Sequence, residues 1–119
     1  MGYYTGFGLH IVGKDEDVKR AEDEIRNIDC QCKELVEEGC VYAKWYDWEY
    51  DMKTVAKNNP DVLIILSGDG EESSDFWEAR FKGEEFEMVQ YELPPFTNEN
   101  LLTEAERIEK EKQEALNND

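Results

Sequence analysis

Five consecutive apolar residues, Val62 to Leu66, limit most strongly what this chain of 119 residues can fold into. A run that is apolar at every position is typical of a central strand covered on both sides. We therefore expect this segment to anchor a sheet. The connection that follows, from Gly68 to Asp75, is polar and is predicted to be a loop.

Four other segments have the two-residue alternation that indicates half-buried strands. Tyr3 to Val12 places Phe7, Leu9 and Ile11 on one face. Cys40 to Tyr46 predicts a second strand. Further along, Phe76 to Phe81 and Glu85 to Leu93 predict two strands joined by a tight turn at Lys82-Gly83-Glu84.

Apolar residues at three-four spacing predict one long helix from Asp15, its N-cap, to about Glu38, with Gly39 ending it. Trp48 to about Asn58 predicts a shorter helix that Asp47 caps. Near the end of the chain, a Glu- and Lys-rich segment from about residue 98 predicts a terminal helix. Thr103 and Glu106 have the spacing of a capping box for it.

The order of these elements indicates an α+β fold, a mostly antiparallel sheet with helices on one face. We expect a ferredoxin-like arrangement with an extra hairpin strand and a C-terminal helix. Residues 1–95 are predicted to form a single α+β domain, and residues 96–119 an acidic C-terminal helix or tail.

Thirty acidic side chains against thirteen basic ones give the chain a formal net charge of -17. Such a surface repels nucleic acid and anionic lipid, and it attracts proteins whose working groove is basic. Three Trp, six Tyr and five Phe lie in patterned segments, unlike a disordered acidic tail. We therefore expect a folded protein with a basic protein partner, and no direct binding to nucleic acid or membranes.

No apolar run approaches the roughly 18 residues that a membrane span needs, and the first four residues lack the features of a signal peptide. The three cysteines, Cys30, Cys32 and Cys40, cannot all pair within one chain, which suits a reducing compartment. We expect free thiols and a cytoplasmic location, which is the host cytoplasm if the protein is phage-encoded.

The sequence contains no P-loop, nucleophile elbow or HExxH motif, and His10 has no nucleophile or second histidine near it. We therefore expect a protein that is not an enzyme and carries no cofactor. Metal binding by Cys30, Cys32, Cys40 and His10 is disfavoured, because residues two apart on a helix point about 200° away from each other.

Four carboxylates are concentrated between Asp69 and Asp75. An EF-hand loop starting at Asp69 would need Gly and Glu where this chain has Ser74 and Arg80, so we expect no metal there. Two interpretations stay open: contact with a basic partner, which is our site prediction, and a solvated turn. Tyr46 and Tyr50 are the aromatic residues expected at an interface, whereas Trp45 and Trp77 are expected in the core. With the acidic face of the first helix, the predicted contact residues are Asp69, Glu71, Glu72, Asp75, Tyr46, Tyr50, Glu22 and Asp23.

Three stretches carry a resemblance: Tyr3-Tyr4-Thr5, Lys44-Trp45-Tyr46-Asp47, and Ser67 to Trp77 followed by a Lys-Gly turn. In these stretches the chain resembles small, acidic, uncharacterised proteins of bacteriophages and mobile elements. The likeness covers roughly residues 3–87, and none of its motifs is catalytic. It implies a phage or mobile-element setting and assigns no site residues.

Together these features predict an acidic phage-type protein that inhibits a host nucleic-acid-binding defence enzyme. Anti-CRISPR or anti-restriction action would follow if the protein occupies the enzyme's basic groove as a nucleic-acid mimic. An immunity or antitoxin protein that neutralises a cationic toxin is one alternative. A small metal-dependent enzyme is another, supported by the Asp69 to Asp75 cluster alone, and an acidic surface also serves solubility without any partner.

Overall fold

The computed structural model describes residues 3–72, 75–91 and 96–117. These residues form five strands and four helices, and one turn of 3-10 helix at Glu99–Leu101 precedes the last helix. Their bounds in chain order are β1 (Thr5–Val12), α1 (Asp15–Arg26), α2 (Cys30–Glu38), β2 (Cys40–Ala43), α3 (Trp48–Asn58), β3 (Leu63–Gly70), β4 (Phe76–Lys82), β5 (Glu85–Tyr91) and α4 (Glu104–Asn117).

The five strands form one sheet in the order β2-β1-β3-β4-β5, and every neighbouring pair is antiparallel. Strands β2 and β3 therefore run in the same direction with β1 between them, and α3 connects them as a split β-α-β unit. Strands β3, β4 and β5 follow one another as a meander. The predicted α+β class and antiparallel sheet are confirmed.

The ferredoxin-like arrangement is not confirmed. That fold repeats the split β-α-β unit, whereas the described residues of this chain form it once. Helices α1 and α2 connect β1 to β2, which is its direct antiparallel neighbour. A helical connection between adjacent antiparallel strands replaces the second unit.

Helices α1, α2 and α3 cover one face of the sheet, which we call the covered face, and the core lies between the two layers. Alternate strand residues point into it, among them Phe7, Ile64, Leu66 and Phe81, all buried. Each such side chain contributes about 1.5–3 kcal/mol of burial free energy. The buried residues that the helices contribute are Ala21, Ile25, Cys32, Leu35, Met52, Val55 and Ala56.

Among the described residues, no helix packs on the opposite face of the sheet, which we call the open face. This corrects the prediction that the apolar run is covered on both sides. Strand β3 is central, but Leu63 and Ile65 on the open face are half-buried while Ile64 and Leu66 are fully buried. The strand also continues to Gly70, through residues predicted to be loop.

The first helical segment is two helices and not one. At the break, the Asn27 N–H donates to the carbonyl oxygens of Glu24 and Ile25, which closes α1. The Asp29 carboxylate then accepts a hydrogen bond of 2.8 Å from the Cys32 N–H and starts α2 as its N-cap. The spacing of the apolar residues continues across this break, so periodicity could not reveal it.

Other boundaries differ less from the prediction. The N-cap of α1 is Lys14 and not Asp15, and β2 ends at Ala43, although Trp45 beyond it is still buried. Helix α3 has the predicted bounds, but the Asp47 side chain makes no capping hydrogen bond. The last strand was predicted to end at Leu93, which lies outside the described residues together with the rest of residues 92–95.

Two predicted turns are confirmed by their backbone conformation. Gly39 ends α2 at φ +82°, and Gly83 turns between β4 and β5 at φ +60°. Both angles lie in the left-handed region, which glycine adopts without a steric penalty. A glycine with positive φ as the first central residue is characteristic of type II′ hairpin turns.

Helix α4 begins with the predicted capping box. The Thr103 N–H donates to Glu106 Oε1 at 3.0 Å, and the Glu106 N–H donates to Thr103 Oγ1 at 3.2 Å. The hydrogen bond from the Thr103 backbone lowers the pKa of the Glu106 carboxyl. None of the described α4 side chains is buried. The predicted domain boundary between residues 95 and 96 lies at the edge of a segment, residues 92–95, that is outside the described residues.

None of the helices in residues 3–72, 75–91 and 96–117 combines the length and the apolar composition that a membrane span requires.

Candidate functional site: an aromatic cleft at one end of the sheet

A cleft of about 260 Å³ opens on the covered face, at the end of the sheet where β1 begins and β3 passes into β4. We call it the aromatic cleft. All three tryptophans of the chain contribute to its walls. The residues that line it are Tyr3, Thr5, Trp45, Tyr46, Trp48, Asp75 and Trp77.

Two glycines of β3 make room for the cleft. A Cβ atom on Gly68 would lie 2.1 Å from the Trp77 ring, and one on Gly70 would lie 2.1 Å from Asp75 Oδ2 and 2.3 Å from the Tyr3 hydroxyl oxygen. Any side chain at either position would displace these groups. The glycines therefore let an indole ring and a tyrosine–carboxylate pair lie directly against the strand.

The pair formed by Tyr3 and Asp75 connects the start of β1 to the start of β4. The Tyr3 hydroxyl donates to Asp75 Oδ2 at 2.6 Å and accepts from the Glu72 N–H at 3.2 Å. Nearby, the Tyr4 N–H donates to Glu71 Oε1 at 3.0 Å. Glu71, Glu72 and Asp75 are thus hydrogen-bonded to the two residues that precede β1.

Its hydrogen bond to Asp75 raises the pKa of the Tyr3 hydroxyl above the ordinary value of tyrosine. The neutral phenol is the form that the fold favours. The stability that this interaction contributes is therefore fully present below the ordinary tyrosine pKa, and it is lost as pH rises through the raised pKa.

Aromatic contacts hold the walls of the cleft. Trp48 stacks on Trp77 with ring centroids 4.3 Å apart, and Phe7 meets Trp45 edge-on at 5.2 Å. The Trp45 Nε1–H donates to Asp51 Oδ2 at 2.8 Å. The ring contacts, together with the hydrogen bond of Trp45, fix the indoles in place.

The outer wall is Tyr46, whose hydroxyl accepts a hydrogen bond of 2.7 Å from the Tyr3 N–H. Its side chain is exposed, unlike those of Trp45 and Trp77, which are buried. The cleft therefore has two rigid indole walls and one wall that faces solvent.

Negative charge dominates the mouth of the cleft. Asp75 lies inside it, and Glu71 and Glu72 lie in the adjoining connection. Within the described part of the chain, none of these carboxylates forms an ion pair. Lys44, next to Trp45 in sequence, lies 4.8 Å from the ring centroid of Tyr4 on the open face, away from the cleft.

The structure brings only part of the predicted contact set together. Asp75 and Tyr46 line the cleft, and Glu71 and Glu72 adjoin it. Asp69 lies on β3 with its side chain on the open face, where it is exposed opposite Gly6 of β1.

The remaining predicted residues lie in the helical layer. Glu22 and Asp23 are on α1, where Asp23 forms an ion pair with Arg26. Tyr50 is exposed in the first turn of α3. The eight residues therefore do not form one patch; two of them line the cleft, two adjoin it, and four lie elsewhere.

Sequence reasoning did not identify Tyr3 or Thr5 as site residues. It considered Trp48 as an interface residue but selected Tyr46 and Tyr50, and it placed Trp45 and Trp77 in the core. The core assignment is confirmed, although edges of both indoles also face the cleft. One signal was available. Glycines at alternate positions within a strand mark places where another group approaches the backbone closely.

A second exposed surface lies on the open face. Tyr4 stacks on Tyr42 at 5.1 Å near one edge, and Phe76 contacts Tyr91 at 5.2 Å near the other. Between them, Gly6 of β1 offers no side chain. The charges on this face are mixed, so it presents no strong field of either sign.

The cysteines have different environments, and all three are free thiols. Cys30 and Cys40 are exposed. Cys32 is buried on the sheet side of α2, and burial raises the pKa of its thiol well above the usual range, with a further contribution from Asp29.

Potential metal ligands are scattered in the described residues, where no group of three or more His, Cys, Asp or Glu side chains is placed to hold a metal ion. His10 is exposed on the open face, opposite Ile65 of β3. Comparison of the chain with protein-family models, with curated proteins and with solved structures found no match.

Proposed function

We propose that this chain is an acidic interaction protein of phage type that inhibits a host nucleic-acid-binding enzyme, such as a CRISPR effector or a restriction nuclease. The observation that supports this proposal most directly is the excess of carboxylates without cationic partners. The chain has a formal net charge of -17, and the described residues contain five ion pairs.

Those ion pairs are exposed, or have one exposed partner, so each contributes little to stability. Each pair engages one carboxylate, so most acidic side chains of the described residues have no ion-pair partner. Unpaired acidic side chains lie in both helical and loop segments. Glu16 is exposed in α1, Glu34, Glu37 and Glu38 are exposed in α2, and Glu72 is exposed after β3. Carboxylates therefore surround the helical layer and the mouth of the cleft.

Such a surface fits a groove that normally holds phosphates. Lysine and arginine side chains in the groove would pair with carboxylates in place of phosphates, and displaced counterions would favour association. Binding driven in this way weakens steeply as salt concentration rises. A rigid antiparallel sheet keeps the charged segments at fixed positions, which lowers the entropic cost of binding.

The experiment is capture of partners from host lysate by the immobilised full chain at low salt, followed by a salt gradient. We expect a nucleic-acid-binding enzyme to elute at moderate salt. Free duplex DNA or RNA should also displace it, and the soluble protein should inhibit it. A captured partner that nucleic acid cannot displace would overturn the proposal, and a small cationic toxin would indicate an antitoxin instead.

A matched pair of variants tests whether charge carries the binding. Replacing Glu16, Glu34, Glu37 and Glu38 by Gln removes four exposed negative charges without removing a described ion pair. We expect earlier elution. The control replaces four basic residues by Gln and should elute at the same or higher salt; its positions are Lys14, Lys19, Lys33 and Lys57.

A further inference from the structure

The aromatic cleft combines two features that recognise a cation. A carboxylate, Asp75, is half-buried within it, and indole and phenol rings form its walls. Aromatic faces attract cations through the ring quadrupole, and the attraction grows when the cation is partly desolvated. A carboxylate in the same space supplies a charge-assisted hydrogen bond.

No basic residue of the described chain lines the cleft. The nearest in sequence, Lys44, is on the other face of the sheet over Tyr4. The hydrogen bond from Tyr3 also holds the Asp75 carboxylate in one orientation, so a ligand does not have to order it. The site is preorganised and its charge is available to an external cation.

We infer that the aromatic cleft receives the guanidinium group of an arginine side chain presented by a protein partner. This inference rests on the proposed function, because it names the group of the basic partner that enters the cleft. Asp75 binds the guanidinium, and the rings of Trp48 and Tyr46 contact its faces or stem.

Arginine suits this cleft better than lysine does. A guanidinium is planar, stacks on aromatic rings and is more weakly hydrated than an ammonium group, so it loses less on entering an aromatic space. The cleft volume of about 260 Å³ corresponds to eight or nine water molecules at roughly 30 Å³ each. That is room for the side chain with its aliphatic stem.

The first test measures binding of three small probes to the full chain: the N-acetyl methylamides of arginine, lysine and citrulline. All three tryptophans line the cleft, so intrinsic fluorescence and the indole N–H resonances report occupancy. We expect the arginine probe to bind weakly but saturably. Citrulline, which has the same shape without the charge, should bind at least about tenfold more weakly, and lysine should lie between them.

A matched pair of variants separates a specific site from general attraction to a negative protein. Asp75→Asn and Asp69→Asn each remove one negative charge, but Asp69 is on the opposite face of β3. We expect Asp75→Asn to weaken the arginine probe about tenfold and Asp69→Asn to leave it within about twofold. Equal losses in the two variants, or no loss in Asp75→Asn, would overturn the inference.

A third variant covers the case in which Asp75→Asn does not fold. Tyr46→Ala removes the solvent-facing wall and keeps both Asp75 and the Tyr3 hydroxyl that binds it, although the Tyr3 N–H loses its acceptor. Since Tyr46 is exposed, no core side chain is removed. Arginine binding should weaken about fivefold, with unchanged far-ultraviolet circular dichroism. Unchanged binding in this variant would contradict the cleft as the site.

The salt at which the Asp75→Asn variant releases the captured enzyme distinguishes failure of this inference from failure of the proposed function. If Asp75→Asn retains the enzyme at the same salt as the parent chain, the cleft is not used although the acidic surface is. If no nucleic-acid-binding enzyme is captured while the arginine probe still depends on Asp75, the proposed function fails and the cation site remains.

Discussion

The two faces of the sheet are made by the same strands, yet they have little in common. On the covered face, Leu66 and Ala79 are fully buried beneath helices, while their neighbours Ile65 and Arg80 lie on the open face, half-buried and exposed. Strand alternation sends adjacent residues to opposite environments. Whether a strand residue is buried here depends more on which face of the sheet its side chain lies on than on the hydrophobicity of the segment around it.

The aromatic cleft lies where the covered face extends beyond the helices. There the strand residues are Gly68 and Gly70, and aromatic side chains occupy the space that helices occupy elsewhere. On the open face, Gly6 lies between exposed rings, and its nearest described neighbour would be 3.6 Å from an added Cβ. The same residue type therefore serves close packing on one face and an uncovered surface on the other.

Thiol labelling should show the largest difference between covered and uncovered positions. In the native protein, Cys40 on the open face should react with a thiol reagent faster than buried Cys32, on the order of a hundredfold or more, because Cys32 requires local unfolding. Peptide mass spectrometry after timed quenching measures both rates. Comparable rates would show that the covered face opens readily; in denaturant all three cysteines should react alike.

Truncation of neighbouring residues on β3 gives the second comparison. Leu66→Ala should lower the free energy of unfolding by about 3 kcal/mol, because it leaves a cavity under the helices. Ile65→Ala on the open face should lower it by about 1 kcal/mol. Urea unfolding followed by circular dichroism measures both. A loss at Ile65 as large as that at Leu66 would mean that something covers the open face.

Alanine substitution of one glycine on each face gives the third comparison, which includes the variant with the smallest expected effect. Gly68→Ala should lower the free energy of unfolding by about 1–3 kcal/mol and shift tryptophan emission, since the new Cβ overlaps the Trp77 ring. Gly6→Ala should be neutral or slightly stabilising, because its Cβ would meet its nearest described neighbour at 3.6 Å, an ordinary contact. Thermal unfolding monitored by fluorescence compares the two. An unchanged Gly68→Ala variant would contradict close packing of Trp77 on β3.

Local patterns predicted much of this fold. Alternation located the strands, and a polar start with a three-four apolar stripe located α3 to the residue. The capping box at Thr103 was also predicted, because it depends on residues three apart. Each of these features is decided by interactions within a few residues.

Features that depend on distant residues were not predicted. Whether β3 is covered on one face or on both depends on where the helices pack. A run of five apolar residues is compatible with either arrangement, so the run alone could not decide between them. The break before α2 is different, because it depends on a local contact between the Asp29 side chain and the Cys32 N–H; it was missed because this contact interrupts no apolar spacing. The order of the strands likewise depends on which distant segments pair with each other, and the pattern within a single segment does not show this.

In the candidate site, too, features set by neighbouring residues were predicted, and features set by distant residues were not. The acidic residues were found because they are clustered in sequence, and Asp75 and Tyr46 do line the cleft. Tyr3 was missed as a site residue because its hydrogen bond to Asp75 joins positions 72 residues apart. Composition indicated the negative charge of the candidate site, whereas the shape of the cleft could be seen only in the folded chain.

The position of β1 between β2 and β3 has a consequence for how the protein is made. Thr5 to Gly8 pair with both neighbours, but Leu9 to Val12 pair only with β3 among the described strands. A ribosome must complete β3 before this half of the first strand has a partner. Until then the nascent chain exposes an unpaired apolar edge, so folding is expected to be slow and late, and chaperones are expected to bind the emerging N-terminal half.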